Sequence, residues 1–262
     1  MTNFRERIRP SGWISDGFST VDEDTQFKVV FHNVERYLRY LAAVRDRAVE
    51  SASDYRDVTT AMRNQMPQTE GRHPMPLECL SLLQTSIDLT RLIQSDTESF
   101  YLFARILQDR VWDLIQFCFW SDGGPTQVKT KPFRTNFMDY AEKKNLTVPS
   151  TFLAQSKTLL DRVSRIRDEF IVHPKSAQTL GMTTINLRDS ALSPITQFAR
   201  NEEHGLQHKA DSEDLHVLFD IAKDFVNTAL IFVESNTERL RFRFDPILYD
   251  SKLAQRLRPF PN

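Results

Sequence analysis

The stretch Ser95-Asp-Thr-Glu-Ser-Phe-Tyr-Leu-Phe-Ala-Arg-Ile-Leu-Gln-Asp-Arg-Val-Trp-Asp-Leu-Ile-Gln-Phe-Cys118 decides the fold class. Its apolar residues Phe100, Ala104, Leu107, Val111, Leu114 and Cys118 follow one another at spacings of 4, 3, 4, 3 and 4. That rhythm keeps them on one face of an α-helix and predicts a helix packed along its whole length against antiparallel neighbours. Trp112, Phe117, Phe119 and Trp120 broaden the face. Aromatic residues at packing intervals read as core and not as a base-stacking platform. At the front of the stretch, Ser95 and Glu98 have the spacing of a capping box, which predicts a helix start there.

Outward from this helix the same period recurs. Phe27, Val30, Val34, Tyr37 or Leu38, Leu41, Val44 and Ala48 predict a long first helix from about 22 to 51, extending towards Met62. Pro67, Gly71, Pro74 and Pro76 mark a loop, and a shorter helix is expected over 77–94. A short helix is expected over 135–144, and Ser150 is the expected cap of the helix that follows. Leu215, Phe219, Ala222, Phe225 or Val226, Ala229, Phe232 and Val233 predict a last helix, capped by Asp211 or Ser212 and running to about 240. Between these two helices, 182–187 and 194–198 read as short strands of a hairpin, and 201–211 as a polar exposed segment.

The expected fold is therefore all-α, an up-and-down bundle of about five to six helices with a small β-hairpin insertion at 182–199. The chain of 262 residues reads as a single domain over 1–262, with an N-terminal arm at 1–20 and a C-terminal tail at 241–262. Its 40% hydrophobic content is enough for a sizeable core, and only 7 glycines argue against a turn-rich β architecture.

Several function classes are set aside by composition and spacing. A formal net charge of -1 provides no global basic field, so any contact with nucleic acid has to use a local patch. Cys79 and Cys118 have neither metal-ligand spacing nor enough companions for a disulfide framework, which points to a reduced, cytoplasmic setting. The arginines at 5, 7 and 9 are not followed by an apolar core of signal-peptide length, and the longest apolar runs fall short of the roughly 20 residues of a membrane-spanning helix. No membrane association is expected. The glycine pair at 123–124 beside Lys129, Lys131 and Arg134 lacks the spacing of a phosphate loop. His204 and His208 stand four apart but have no evident third ligand, and His32 reads as a structural histidine, so no metal site is expected.

What remains is Arg165-Ile-Arg-Asp-Glu-Phe-Ile-Val-His-Pro-Lys175, near the end of the helix that begins after Pro149. Leu159, Val163, Ile166 and Phe170 form its buried stripe at about 100° per residue. On the same wheel Arg167 lies roughly 60° to one side of that stripe and His173 roughly 60° to the other. A half-buried guanidinium needs a partner or an anion. Pro174 disfavours helical geometry in the residue before it, so the helix should end at His173, where the helix dipole favours a protonated imidazole and Glu169 is placed to hydrogen-bond it.

Arg167-Asp168, four further residues and His173 resemble the signature of HEPN domains (higher eukaryotes and prokaryotes nucleotide-binding), which is likewise carried near the end of a long helix in an all-α bundle. The resemblance covers residues 20–240 as architecture, but the motif itself has two defined positions. It implies a metal-independent endoribonuclease without a cofactor, acting as a homodimer in which two such helices surround one scissile phosphate. In that reading Arg167 neutralises the phosphate, His173 is the general acid or base, and Asp168 and Glu169 position them. Arg162 and Lys175 are the neighbouring candidates for RNA contact. Because Arg167 and His173 sit on opposite shoulders of one stripe, a second copy of the helix is part of the expectation. The family's setting further implies phage defence or a toxin with an antitoxin or regulatory partner. Lys175 stands where some HEPN toxins carry a tyrosine, which departs from those that pair with a nucleotidyltransferase. Two other readings stay open: an inactive HEPN-like module for dimerisation and nucleotide or RNA binding, and an unrelated helical interaction protein in which Arg167 pairs with another helix and His173 caps its own.

Overall fold

In a computed structural model of the chain, residues 21–66, 76–119, 137–172, 179–183, 194–202 and 205–240 are described. The expected N-terminal arm, most of the loop after the first helix, the basic cluster at 129–134 and the C-terminal tail lie outside them. The described residues contain five α-helices: α1 (Val21–Gln65), α2 (Leu77–Phe119), α3 (Phe137–Lys143), α4 (Ser150–Ile166) and α5 (Leu215–Glu234). A single π-helical turn, Arg167–Val172, continues α4, and a short 3-10 turn, Thr237–Arg239, follows α5. The protein is all-α, with one small sheet added.

That sheet contains the expected hairpin and adds a strand to it. Strands β1 (Thr179–Thr183), β2 (Thr196–Glu202) and β3 (Gly205–Asp211) form an antiparallel sheet in the order β1-β2-β3. Thr183 faces Thr196, the described part of the first strand begins three residues before the expected 182, and a third strand occupies the segment expected to be exposed. β3 has only Leu206 and Ala210 as apolar residues, too few for a visible alternation. Pairing with β2 decides its conformation, as context usually does for strands.

The expected break before Ser95 is absent. α2 runs through it: Glu98 of the apparent capping box accepts from the Gln94 side-chain amide at 3.0 Å, and the two polar residues between Ser95 and Glu98 have partners of their own. Thr97 Oγ1 donates back to the Ile93 carbonyl at 2.9 Å, and the Asp96 carboxylate receives Arg47 from α1. The cap of α5 also shifts. The Asp214 carboxylate accepts from the His216 amide at 2.7 Å, in the geometry of an N-cap, while Ser212 is used in the sheet. At the start of α4 the Pro149 carbonyl accepts from the Phe152 amide at 3.0 Å, so the chain enters the helix one residue before the expected cap.

The contacts divide the chain into two compact units, with the boundary passing inside α1, α2, α4 and α5. One unit takes α1 up to Tyr37, α2 from Leu107, α3, α4 up to Lys157 and α5 from Lys223. Its core is aromatic. Phe152 stacks on Phe225 and Phe232 with interplanar angles of 17° and 13°, and meets Trp112 edge-on at 5.3 Å. Phe137 of α3 closes the group against Trp112 and Phe232, at 5.0 and 5.7 Å. These rings are buried, as the packing interval of α2 requires. Asn236 then fastens the turn before α4: its amide donates to the carbonyls of Phe232 and Thr147 at 2.7 and 2.9 Å and accepts from the Thr147 amide at 2.7 Å.

The other unit takes the rest of α1, α2, α4 and α5, with the π turn and the sheet. Here α1 and α2 form an antiparallel pair. Tyr40 touches Phe103 at 5.4 Å, Arg47 reaches Asp96, and Gln65 accepts from the Cys79 thiol at 3.6 Å. Each step forward along α1 is matched by an almost equal step back along α2. Arg45 adds a link to α5, its guanidinium lying 4.3 Å from the centre of the Phe219 ring.

Candidate functional site

α4 forms where the sequence places it, and its stripe is buried as expected. Leu159, Val163, Ile166 and Phe170 are at most 8% exposed. The departure comes at Arg167, where the helix changes from α to π. A π turn closes from residue i to i+5 and holds roughly one residue more than an α turn. A wheel drawn at 100° per residue therefore does not carry through Arg167–Val172.

The Arg167 guanidinium is half-buried, with 27% of the side chain exposed, and its Nη1 lies 2.5 Å from Oδ1 of the adjacent Asp168. Asp168 is more exposed, at 48%. The pair bridges neighbours on one turn, and its acid comes from the motif itself. Glu169 is half-buried in the same turn. Phe170 is the turn's buried residue and lies against Phe198 of β2, with ring centroids 5.1 Å apart. His173 and Lys175 fall outside the described residues, so the Arg167–His173 and Glu169–His173 pairings do as well.

Arg162, one turn before Ile166, forms an ion pair with Glu213 at the entry to α5. Both side chains are partly exposed, so the pair adds modest stability and leaves the cation near the surface. Behind it lies a polar network that sequence reasoning missed. The Glu213 amide donates to the Tyr101 hydroxyl at 3.0 Å. Burial pushes this phenol up to about 12, with the Glu213 charge adding to the rise and its amide bond opposing it. The Thr196 amide donates to the Ser212 hydroxyl, and the Ser212 amide donates to the Thr196 carbonyl, both at 2.8 Å. Thr196 Oγ1 donates to Thr97 Oγ1 at 3.1 Å, which ties the root of the sheet to α2. Near the same level of α2, Arg47 Nε donates to both oxygens of the fully buried Asp96 at 2.9 and 3.0 Å, and that carboxylate raises the guanidinium further above its ordinary value. Nothing in the period of the sequence signals these pairs, whose members stand 16 to 112 residues apart.

The arrangement around Arg167 presents a fixed cation beside a carboxylate at a helix end, which can bind one anionic group and orient it. Among the described residues, no group of three or more His, Cys, Asp or Glu side chains is placed to hold a metal ion. No helix among them is long and apolar enough to cross a membrane. No family model, no curated protein and no solved structure matches the chain.

Proposed function

We propose that the chain is a HEPN-like, metal-independent endoribonuclease that acts as a homodimer in the cytoplasm, in a defence or toxin-antitoxin setting. The observation that carries this reading is the state of Arg167. It is a half-buried, permanently charged group at a π turn, a type of irregularity frequent at functional sites, and its ion pair is with the more exposed Asp168 beside it. A phosphate approaching from solvent can take up guanidinium protons that Asp168 does not use.

In the proposed reaction a general base removes the proton of the RNA 2′-hydroxyl, whose oxygen attacks the adjacent phosphorus. The bond to the 5′-oxygen breaks, and that oxygen takes a proton from a general acid. The products are a 2′,3′-cyclic phosphate and a 5′-hydroxyl. His173 supplies the acid or base, one from each copy of the dimer, and Arg167 stabilises the extra negative charge of the phosphorane. Asp168 holds the guanidinium, Glu169 orients His173, and Arg162 and Lys175 hold the flanking RNA backbone.

The test is cleavage of a mixed RNA pool in chelator by the wild type, Arg167→Ala and His173→Ala. Cleavage by the wild type with a loss of about 100-fold or more in both variants is expected. Undiminished cleavage in both variants assigns the chemistry elsewhere. RNA binding without cleavage in the wild type favours the inactive binding module.

A further inference from the structure

The π turn that carries Arg167 is not a default continuation of α4. One extra residue in a helical turn rotates the chain beyond it by about 100°, so the choice between α and π decides which way the residues after Val172 leave the helix. π turns are rare and occur mostly as single turns inside α-helices, so the contacts this one makes with the rest of the fold bear on why it forms. Within Arg167–Val172 the residue that reaches into the core is Phe170, 8% exposed, and its ring lies 5.1 Å from that of Phe198.

Phe198 is itself firmly placed. It is 1% exposed and stands at the register shift of the β2-β3 pairing, which falls between Phe198 and Ala199. Such bulges re-aim a side chain relative to a regular ladder. Two residues earlier, Thr196 is fully buried and is held by three hydrogen bonds, two to Ser212 and one to Thr97. Thr97 is in turn bonded to the Ile93 carbonyl of α2. A continuous set of contacts therefore runs from the backbone of α2, through the root of the sheet, to the ring that meets the π turn.

We propose that Phe198 is a positioning residue for the Arg167 segment: anchored to α2 through Thr196, its ring holds Phe170 and thereby selects the π form of Arg167–Val172. The sheet is thus the support of the turn that carries Arg167. The functional weight of this inference rests on the reading of Arg167 given above. Its test reads backbone geometry, so it succeeds or fails separately from RNA cleavage.

The experiment is a crystal structure of the full chain carrying Phe198→Ala, with Leu159→Ala as the control. Leu159 is buried on α4 itself, about three turns before Phe170, so its truncation weakens the same helix away from the turn that carries the aromatic pair. The expected result is loss of the π turn in Phe198→Ala, with amide acceptors moving from five residues back to four, and retention of the turn in Leu159→Ala. A π turn that persists in Phe198→Ala overturns the proposal, and so does one that is lost in both variants. Should Phe198→Ala fail to fold, amide hydrogen exchange of Phe198→Leu replaces it. Faster exchange confined to 168–172, and absent in Leu159→Ala, supports the assignment; exchange in that turn no faster than in the wild type, or raised equally along α4, overturns it.

Discussion

Asp96 is fully buried, and its charge is tolerated there because Arg47 crosses from α1 to bind both carboxylate oxygens. Removing the cation leaves an uncompensated buried charge, so Arg47→Ala should lower stability by about 3 kcal/mol, the low end of such losses because the arginine is half-exposed. The double variant Arg47→Met with Asp96→Leu should recover most of that loss, and urea unfolding of the three proteins checks both statements. Tyr101 provides a test by pH. Its folded pKa is raised to about 12 from 10.0, so the stabilising preference for the neutral phenol is complete below pH 10 and is lost as pH rises towards 12. Roughly 3 kcal/mol should disappear across that window, and Tyr101→Phe should flatten this part of the stability-pH curve. Neither residue is legible as special in the sequence. Asp96 sits inside an apparent capping box, and Tyr101 follows the core residue Phe100 on a helix already rich in aromatics.

At the scale of elements, α2 shows how a local signature is overruled. Ser95 to Glu98 has the residues of a helix start, yet Asp96 and Thr97 face partners on α1 and β2, and the helix passes through. Ser95 is exposed. Ser95→Ala should therefore change stability by less than about 0.5 kcal/mol, where the loss of a working N-cap costs about 1. Thr97→Val, which keeps the shape but strips the acceptor from the buried Thr196 hydroxyl, should cost about 1–2 kcal/mol. Thermal unfolding of the two variants ranks them, and the opposite order restores the capping-box reading. The end of α4 shows a similar limit. The buried stripe through Phe170 is readable from a period of 3.6, but the period is silent on an inserted residue, and the π turn depends on a ring that lies on a strand. β3 was hidden for a related reason, since its conformation comes from the ladder with β2.

At the scale of the molecule, the two compact units each have a core of the kind that the stripes foreshadow. One is centred on Phe152 between Phe225 and Phe232, and the other is built around the antiparallel segments of α1 and α2. Arg167 of the candidate site is half-buried at the end of α4, and the buried stripe beneath it was readable in advance, whereas its support by the sheet was not. The sequence by itself determined the helical class, the buried faces of α1, α2, α4 and α5 and the absence of a phosphate-loop signature, because these follow from residue spacing within one or two turns. Only the tertiary structure decided that α2 is unbroken, that α4 ends in a π turn and that a third strand pairs with β2. Those outcomes turn on burying polar groups and rings against partners as far as 99 residues away, an energy that no local window of the chain contains.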